Sequence, residues 1–431
     1  MATPGKAILA CLLAAVIACL APTRPSLADG PSGSTGPAIT AVSAVLIDAS
    51  TGVAIWEKDC DRRMAPASIT KVLTAAVVLD SLSPEEIVTV SKAASSVPGS
   101  SVYLVENERV CVRDLLYGLI LNSGNDAAVA LAERISGSVG EFCHLMNETA
   151  ARIGSLNSSF ENPHGLDSDN HYTTARDMAL IAKYAMSKPL FREVAGTTTY
   201  AWEGRAWSTT LINHNRLLWQ YDGCTGVKTG FTSGAGHTLI ASAARDGREL
   251  IAVLLDGDAA ATLRREACLL FDYGFDNCLA DLNDPGEIVD TAPLPFGKKV
   301  DLIAAQPFLT FLPEGAAGDV TRSVTVSPEY LAGKEIGRGE TVGRLTYSFD
   351  GTPLGGVDLI SGEDVTYTTM QRLEFIARDP RSHPPMICAI LAGVAAVAAW
   401  RLRGRNAGRR RRPFGRRRRR ASRTETWRRT Y

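Results

Sequence analysis

At roughly 150 residues per domain, a chain of 431 residues has room for two or three domains, so a single minimal domain is excluded. Gly and Pro, at 38 and 21 residues, are near average usage, which excludes a collagenous or low-complexity chain. The balance of 46 basic against 46 acidic residues is a cancellation: residues 401–431 hold 15 Arg against the single acid Glu425, and the first 28 residues hold Lys6 and Arg24 with no acid. The rest carries 29 basic against 45 acidic residues, a net charge of about −16, which argues against nucleic-acid binding there.

In chain order, the apolar run Ala7 to Ala21 follows Lys6 and precedes Pro22, Pro25 and Ser26-Leu27-Ala28. This is the pattern of a secretory signal peptide over residues 1–28, and the run is short for the ~20 residues a membrane span needs. Residues 29–39, with the run PSGSTGP at 31–37, form a linker. Alternation at Val42, Ala44 and Leu46 predicts a strand, and Asp48 to Gly52 a turn into a second strand, Val53 to Glu57. From 65 to 187 the signals are mostly helical, with Val112 to Leu121 and Asp126 to Ile135 flanking a short polar break. Thr174-Ala-Arg-Asp177 reads as a capping box opening a helix to about Ser187. Leu239 to Ala244 and Leu250 to Leu255 flank Arg245-Asp-Gly-Arg248, a strong hairpin signal. Helices are thus expected to be inserted between the strands of one sheet. Beyond Gly286, short alternating strands such as Val320 to Val326 and Arg344 to Phe349 predict a separate small β-domain over 286–378.

A second apolar run, Met386 to Leu402, is uncharged until Arg401 and leads directly into the Arg block. It reads as a transmembrane helix over 386–402, with the tail 403–431 held in the cytoplasm and everything before it outside. The tail's place beside an apolar span favours contact with anionic lipid over nucleic acid, which is not expected as a partner. Cys60, Cys111, Cys143, Cys224, Cys268 and Cys278 fall in the exported part, and spacing does not choose among their 15 possible pairings. No C-x-x-C or H-E-x-x-H occurs, so neither a redox motif nor a zinc peptidase is supported. No cofactor is expected, and His164 and His171 read as structural loop residues.

Three short motifs carry chemistry: Ser68-Ile-Thr-Lys71, Ser123-Gly-Asn125 and Lys228-Thr-Gly230. At average composition the first arises by chance about twice in such a chain, whereas each of the others arises about 0.1 times. Their order and contexts give them weight. Ile69, Val72, Leu73 and Ala76 follow the spacing of a core-facing helix, which puts Ser68 at a helix N-terminus with Lys71 one turn on and on the same face. A backbone N–H there is free to hold an oxyanion. Lys71 must be neutral to take the Ser68 proton, and burial together with a second cation, for which Lys228 is the candidate, favours that. Ser123 and Asn125 fall in the loop between two helices, Ser123 to relay a proton to the leaving amine and Asn125 to bind a substrate amide. Lys228, Thr229 and Gly230 should lie on an extended strand whose edge can pair with a peptide, with the Phe231 N–H completing the oxyanion hole.

Together these motifs resemble those of the serine-type penicillin-recognising enzymes. More narrowly, Pro66 to Ala75, Leu121 to Ala128, Asn162-Pro-His-Gly-Leu166, Thr173 to Asp177 and Gly226 to Gly230 are similar to segments of the low-molecular-mass penicillin-binding proteins that are D-alanyl-D-alanine carboxypeptidases. The resemblance covers residues 40 to about 370. It implies a catalytic domain over 40–282 of the serine transpeptidase/β-lactamase-like α/β (α+β) fold, an antiparallel sheet with helices on both faces and an inserted helical subdomain. It also implies a C-terminal β-domain that stands the catalytic domain off the membrane, peptidoglycan stem peptides as substrates, and β-lactams as covalent inhibitors. An Arg that the family places after the hairpins is matched by Arg264 or Arg265. The family often ends in an amphipathic surface helix, whereas this chain's tail reads as a span. Among rival readings, a β-lactamase lacks support because no E-x-x-L-N segment lies between the second and third motifs, and a non-catalytic penicillin sensor lacks support because every catalytic side chain is present. A D,D-endopeptidase shares every residue named.

Overall fold

The computed structural model describes residues 36–378 and 391–401. The expected signal peptide, residues 29–35 of the linker, residues 386–390 and 402 of the expected span and the tail 403–431 lie outside the described residues. The described residues divide into two compact units, one formed by 36–282 with 309–321 and 348–354, the other by 283–308, 322–347 and the described residues from 355 on.

The first unit is organised by a five-stranded antiparallel sheet of β1 (Ser43–Asp48), β2 (Ala54–Lys58), β3 (Cys224–Thr232), β4 (Gly236–Arg245) and β5 (Arg248–Gly257), in the order β2-β1-β5-β4-β3. Val45 of β1 pairs with Val253 of β5, so the first strands and the last belong to one sheet and the intervening helices are an insertion. In the expected Asp-Gly turn, Arg245 pairs with Arg248 while Asp246 and Gly247 both take positive φ, 52° and 75°, as a two-residue turn that follows the strand twist requires. Both faces of the sheet are covered. Val45, Ile47, Ile251 and Val253 join the core formed with the helices of the insertion. On the other face, Leu46 and Leu250 meet Gly274 of α6 (Ala260–Asn277), where an added Cβ would come within 2.8 and 2.6 Å of them. β5 is accordingly apolar from Leu250 to Leu255 rather than alternating. The sequence reading named no helix at 260–277.

The insertion holds α1 (Lys71–Ser81), α2 (Val112–Leu121), α3 (Asn125–Ser136), α4 (Val139–Arg152) and α5 (Ala175–Met186). For α1 a single apolar stripe was expected. Instead every residue from Lys71 to Val78 is buried, because the helix belongs to the middle of the core and is covered all round. Half of the expected capping box forms: Thr174 Oγ1 accepts from the Asp177 N–H at 3.0 Å, but the Asp177 carboxylate turns away to accept from Asn157 N (2.7 Å) and Ser158 Oγ (2.7 Å). Cys60, Cys111, Cys143, Cys224, Cys268 and Cys278 are all unpaired thiols.

The second unit is a five-stranded antiparallel sheet of β6 (Ile288–Pro293), β7 (Lys299–Ala304), β8 (Thr321–Val326), β9 (Thr341–Phe349) and β10 (Thr352–Ser361), in the order β6-β7-β10-β9-β8. Val300, Leu302, Val342, Leu345, Tyr347, Val357 and Leu359 are its buried residues. Of the expected transmembrane helix, residues 391–401 are described and are helical, with Leu391, Val394, Val397 and Trp400 exposed. Among the described residues no helix is long and apolar enough to cross a membrane, so the expected span is not found there.

Candidate active site

The first motif departs from the expected α-helical turn. Ala67–Thr70 is a turn of 3₁₀ helix, and α1 begins only at Lys71. In a 3₁₀ turn, residues three apart eclipse one another, which brings the two functional groups together: Lys71 Nζ donates to Ser68 Oγ at 3.0 Å. The same Nζ donates to the carbonyl of His164 at 2.6 Å. Just before the nucleophile candidate, Ala67 has φ +52°, a strained conformation for a residue with a Cβ. Its carbonyl is held by Thr70 Oγ1 (2.9 Å) and packs so closely on Gly165 that a Cβ there would sit 1.8 Å from the oxygen. Only glycine fits opposite this turn.

Lys71 is fully buried, and burial together with the neighbouring Lys228 holds its amine well below the ordinary lysine pKa, while Asp126 pulls the other way. Burial pushes Lys228 down to about 7. A neutral amine at Lys71 can therefore take a proton from Ser68 Oγ near neutral pH. His164, whose carbonyl fixes Lys71, is itself pushed down to about 3 by burial and by Lys71. His171 accepts from Glu161 N at 3.0 Å and pairs with Thr70 Oγ1 at 3.0 Å, which gives it a structural partner on each ring nitrogen.

Ser123 has φ +61° and is buried, and its Oγ has no hydrogen-bond partner among the described residues. A buried, unpartnered hydroxyl on a strained residue is costly to keep, and it is open to a substrate proton. Asn125 was expected in the loop, but Gly124 caps the helix and Asn125 is its first residue. Its Nδ2 donates to Pro98 O at 2.7 Å, leaving Oδ1 as an open acceptor. Asp126, one residue on, gathers the segment that precedes α2: Ser101 Oγ (2.6 Å), Val102 N (3.1 Å) and Leu104 N (3.0 Å) all donate to it.

The third motif lies on β3, at the edge of the sheet, as expected for a strand open to a peptide. A Cβ at Gly230 would come within 2.8 Å of Ser68 N and 2.5 Å of Thr238 Oγ1, so the missing side chain is what lets this strand pass beside the Ser68 amide. Ser68, Ser100, Ser123, Thr229, Gly230, Phe231 and Arg264 line one cleft of about 370 Å³. Lys71, Asn125 and Lys228 are buried and are not part of this lining. Lys228 donates to the Thr229 carbonyl at 2.9 Å rather than standing free in the cleft. Of the two Arg candidates, Arg264 lines the cleft and Arg265 does not, its guanidinium reaching Thr262 Oγ1 on the same helix at 3.5 Å. His214, His237, Thr238 and Ser100 also line the cleft and were not singled out from sequence, since none stands in a motif. Among the described residues no cluster of His, Cys, Asp or Glu could hold a metal ion.

This sheet, its helical insertion and a serine hydroxyl paired with a desolvated lysine define the penicillin-recognising serine peptidase fold. The chain belongs to the D-alanyl-D-alanine carboxypeptidase family, whose model matches residues 31–259, and residues 281–367 match the C-terminal domain of penicillin-binding protein 5. It is 33% identical over 335 residues to the D-alanyl-D-alanine carboxypeptidase DacF of Bacillus subtilis, covering 75% of this chain and 86% of that one. It is 36% identical over 316 residues to DacD of Escherichia coli, covering 70% and 79%. Among solved structures, penicillin-binding protein 5 of Haemophilus influenzae is similar with a TM-score of 0.60 and 31% identity, over 78% of this chain and 100% of the other.

Proposed function

We propose that this chain is a serine D,D-carboxypeptidase that removes the terminal D-alanine from peptidoglycan pentapeptides through an acyl-Ser68 intermediate, and that β-lactams trap it as covalent inhibitors. The observation that carries the reading is the 3.0 Å contact between Ser68 Oγ and a buried lysine whose proton affinity is strongly depressed. Lys71 takes the Ser68 proton as Oγ attacks the penultimate carbonyl carbon. The N–H groups of Ser68 and Phe231 hold the oxyanion, and Ser123 relays the proton held by Lys71 to the departing amine, which returns Lys71 to its neutral form. Asn125 binds the substrate amide, and the edge of β3 from Thr229 to Phe231 pairs with the peptide. Water then hydrolyses the ester and restores Ser68.

Arg264 favours the carboxypeptidase over the endopeptidase. A guanidinium in the cleft, with Lys228 and Thr229 nearby, suits a free carboxylate beside the scissile bond. Amidating that carboxylate, or extending it as in a cross-linked dimer, leaves the charge unpartnered and should cost roughly a hundredfold in kcat/KM. D-alanine release from the pentapeptide, its C-terminal amide and a cross-linked dimer is the measurement. Equal rates on the amide, or preference for the dimer, would make the enzyme an endopeptidase.

Export by a signal peptide at 1–28, a membrane anchor at 386–402 and a cytoplasmic Arg tail in contact with lipid complete the proposal. The apolar side chains exposed along 391–401 and the Arg residues that follow support the anchor. Protease added outside intact cells is expected to digest the ectodomain and spare the stretch after Trp400. Loss of the tail in sealed cells would refute this topology.

A further inference from the structure

Beyond the cleft, the segment after Ser100 carries a feature that the acyl-transfer chemistry leaves unused. Val102 and Leu104 are buried, whereas Tyr103 between them is 59% exposed and has φ +59°. A bulky side chain in the left-handed region is strained, and a turn needing only that backbone would be served at less cost by Gly or Asn. The conformation is held by force from both sides. Asp126 binds the N–H groups of Val102 and Leu104, and Tyr103 N donates to Ser101 Oγ at 2.8 Å. The exposed ring meets Trp207 edge to face, with centroids 5.1 Å apart and planes at 78°.

Trp207 comes from a different element, the turn of the hairpin Thr199–Glu203 and Ser208–Ile212, closed by Gly204 N donating to Trp207 O at 3.0 Å. Glu108 fastens the two elements together: its carboxylate accepts from Arg205 N of the hairpin turn at 2.7 Å and from Val105 N at 2.9 Å. The two rings therefore form a pre-organised aromatic corner. Arg205, two residues before Trp207, is exposed, and its guanidinium has no ion pair among the described residues.

We propose that Tyr103 and Trp207 form a saccharide platform, which binds the glycan that carries the stem peptide while the peptide's end lies in the cleft. The inference rests on the carboxypeptidase reading and extends it to the far end of the substrate. Flat, rigid aromatic faces take the C–H faces of a pyranose ring at little entropic cost, and the Tyr103 hydroxyl and the exposed Arg205 of the same turn as Trp207 are polar groups suited to its substituents. Reach is sufficient: Tyr103 is three residues from the cleft-lining Ser100, at most about 10 Å of chain, and an extended pentapeptide spans about 17 Å. Binding energy from such a remote group is available to position the reacting end.

The test compares the full-length protein on free pentapeptide and on disaccharide-pentapeptide. The wild type is expected to favour the glycan-bearing substrate about tenfold in kcat/KM, through KM. Tyr103→Asn, which tolerates the left-handed backbone, and Trp207→Ala should each erase the preference, and Tyr103→Phe should keep it. Turnover of the free pentapeptide and acylation by penicillin should not change in any of the three. Calorimetric titration with peptide-free glycan oligomers adds a readout independent of turnover, with millimolar binding expected in the wild type and none in the ring-deleted variants. No preference and no glycan binding in the wild type, or a preference that survives loss of both rings, would overturn the platform. Absence of D-alanine release from either substrate would instead refute the carboxypeptidase reading, and the titration would still decide the platform.

Discussion

Ser68→Ala should abolish both β-lactam labelling and D-alanine release, a loss on the order of 10⁴-fold or more, because no other hydroxyl in the cleft is paired with a base. Ser123 is the nearest competitor in kind. Its Oγ has no partner among the described residues, so nothing there lowers the cost of losing its proton. A β-lactam presents a carbonyl that mimics the terminal peptide bond while its ring nitrogen stays tethered, so the acyl-enzyme accumulates and can be mapped by mass spectrometry. The adduct is expected on Ser68, and an adduct on any other residue would end this account of the nucleophile. The variant should stay folded. It removes one hydrogen bond, worth about 1 kcal/mol, and Lys71 keeps the carbonyl of His164 as a partner.

The two motifs that carry their chemistry in local spacing were legible because three residues of helix or strand suffice to place their groups. Ser68 and Lys71 needed only a helical turn, and Gly230 only a strand beside which another backbone passes. The form of that turn was not legible, since the positive φ of Ala67 goes with a carbonyl packed against Gly165, almost a hundred residues away. A similar distance, 93 residues, hid the His164 carbonyl that holds Lys71, and a separation of 25 residues from Ser101 hid the role of Asp126, which read only as the opening residue of a helix. Burial and a second cation were legible as requirements for a neutral Lys71, and Lys228 is that cation, but that Lys228 is itself buried and depressed is a property of the packed core that no local spacing shows. Arg264 and Arg265 were indistinguishable in sequence because neighbours on a helix point about 100° apart, and only the placement of α6 decides which one meets the cleft.

Lys71→Arg tests whether the lysine acts by taking a proton or merely by its charge. Arginine keeps a cation beside Ser68 but cannot lose its proton in a protein, so a general base at this position predicts a fall of about 10³-fold in acylation. Lys71 is fully buried and a guanidinium is larger, so Lys71→Met, close to lysine in volume and uncharged, separates loss of function from loss of fold. Both variants should be inactive, and Lys71→Met should melt no lower than the wild type, since it deletes a buried amine. The pH profile gives the sign. Below the depressed pKa of Lys71 the amine is protonated and cannot accept from Ser68, so acylation is lost as pH falls through that value. Above about 7 the buried Lys228 loses its charge, and with it the positive potential it contributes behind the Thr229 lining of the cleft, so the free-acid substrate binds less well as pH rises. The product of the two is a bell in kcat/KM for the peptide, while a neutral β-lactam analogue should show the rising limb alone. Removing the neighbouring cation with Lys228→Met relieves part of the depression on Lys71 and should move that rising limb to higher pH. A Lys71→Arg enzyme within tenfold of the wild type, or a rising limb unmoved by Lys228→Met, would rule out Lys71 as the base.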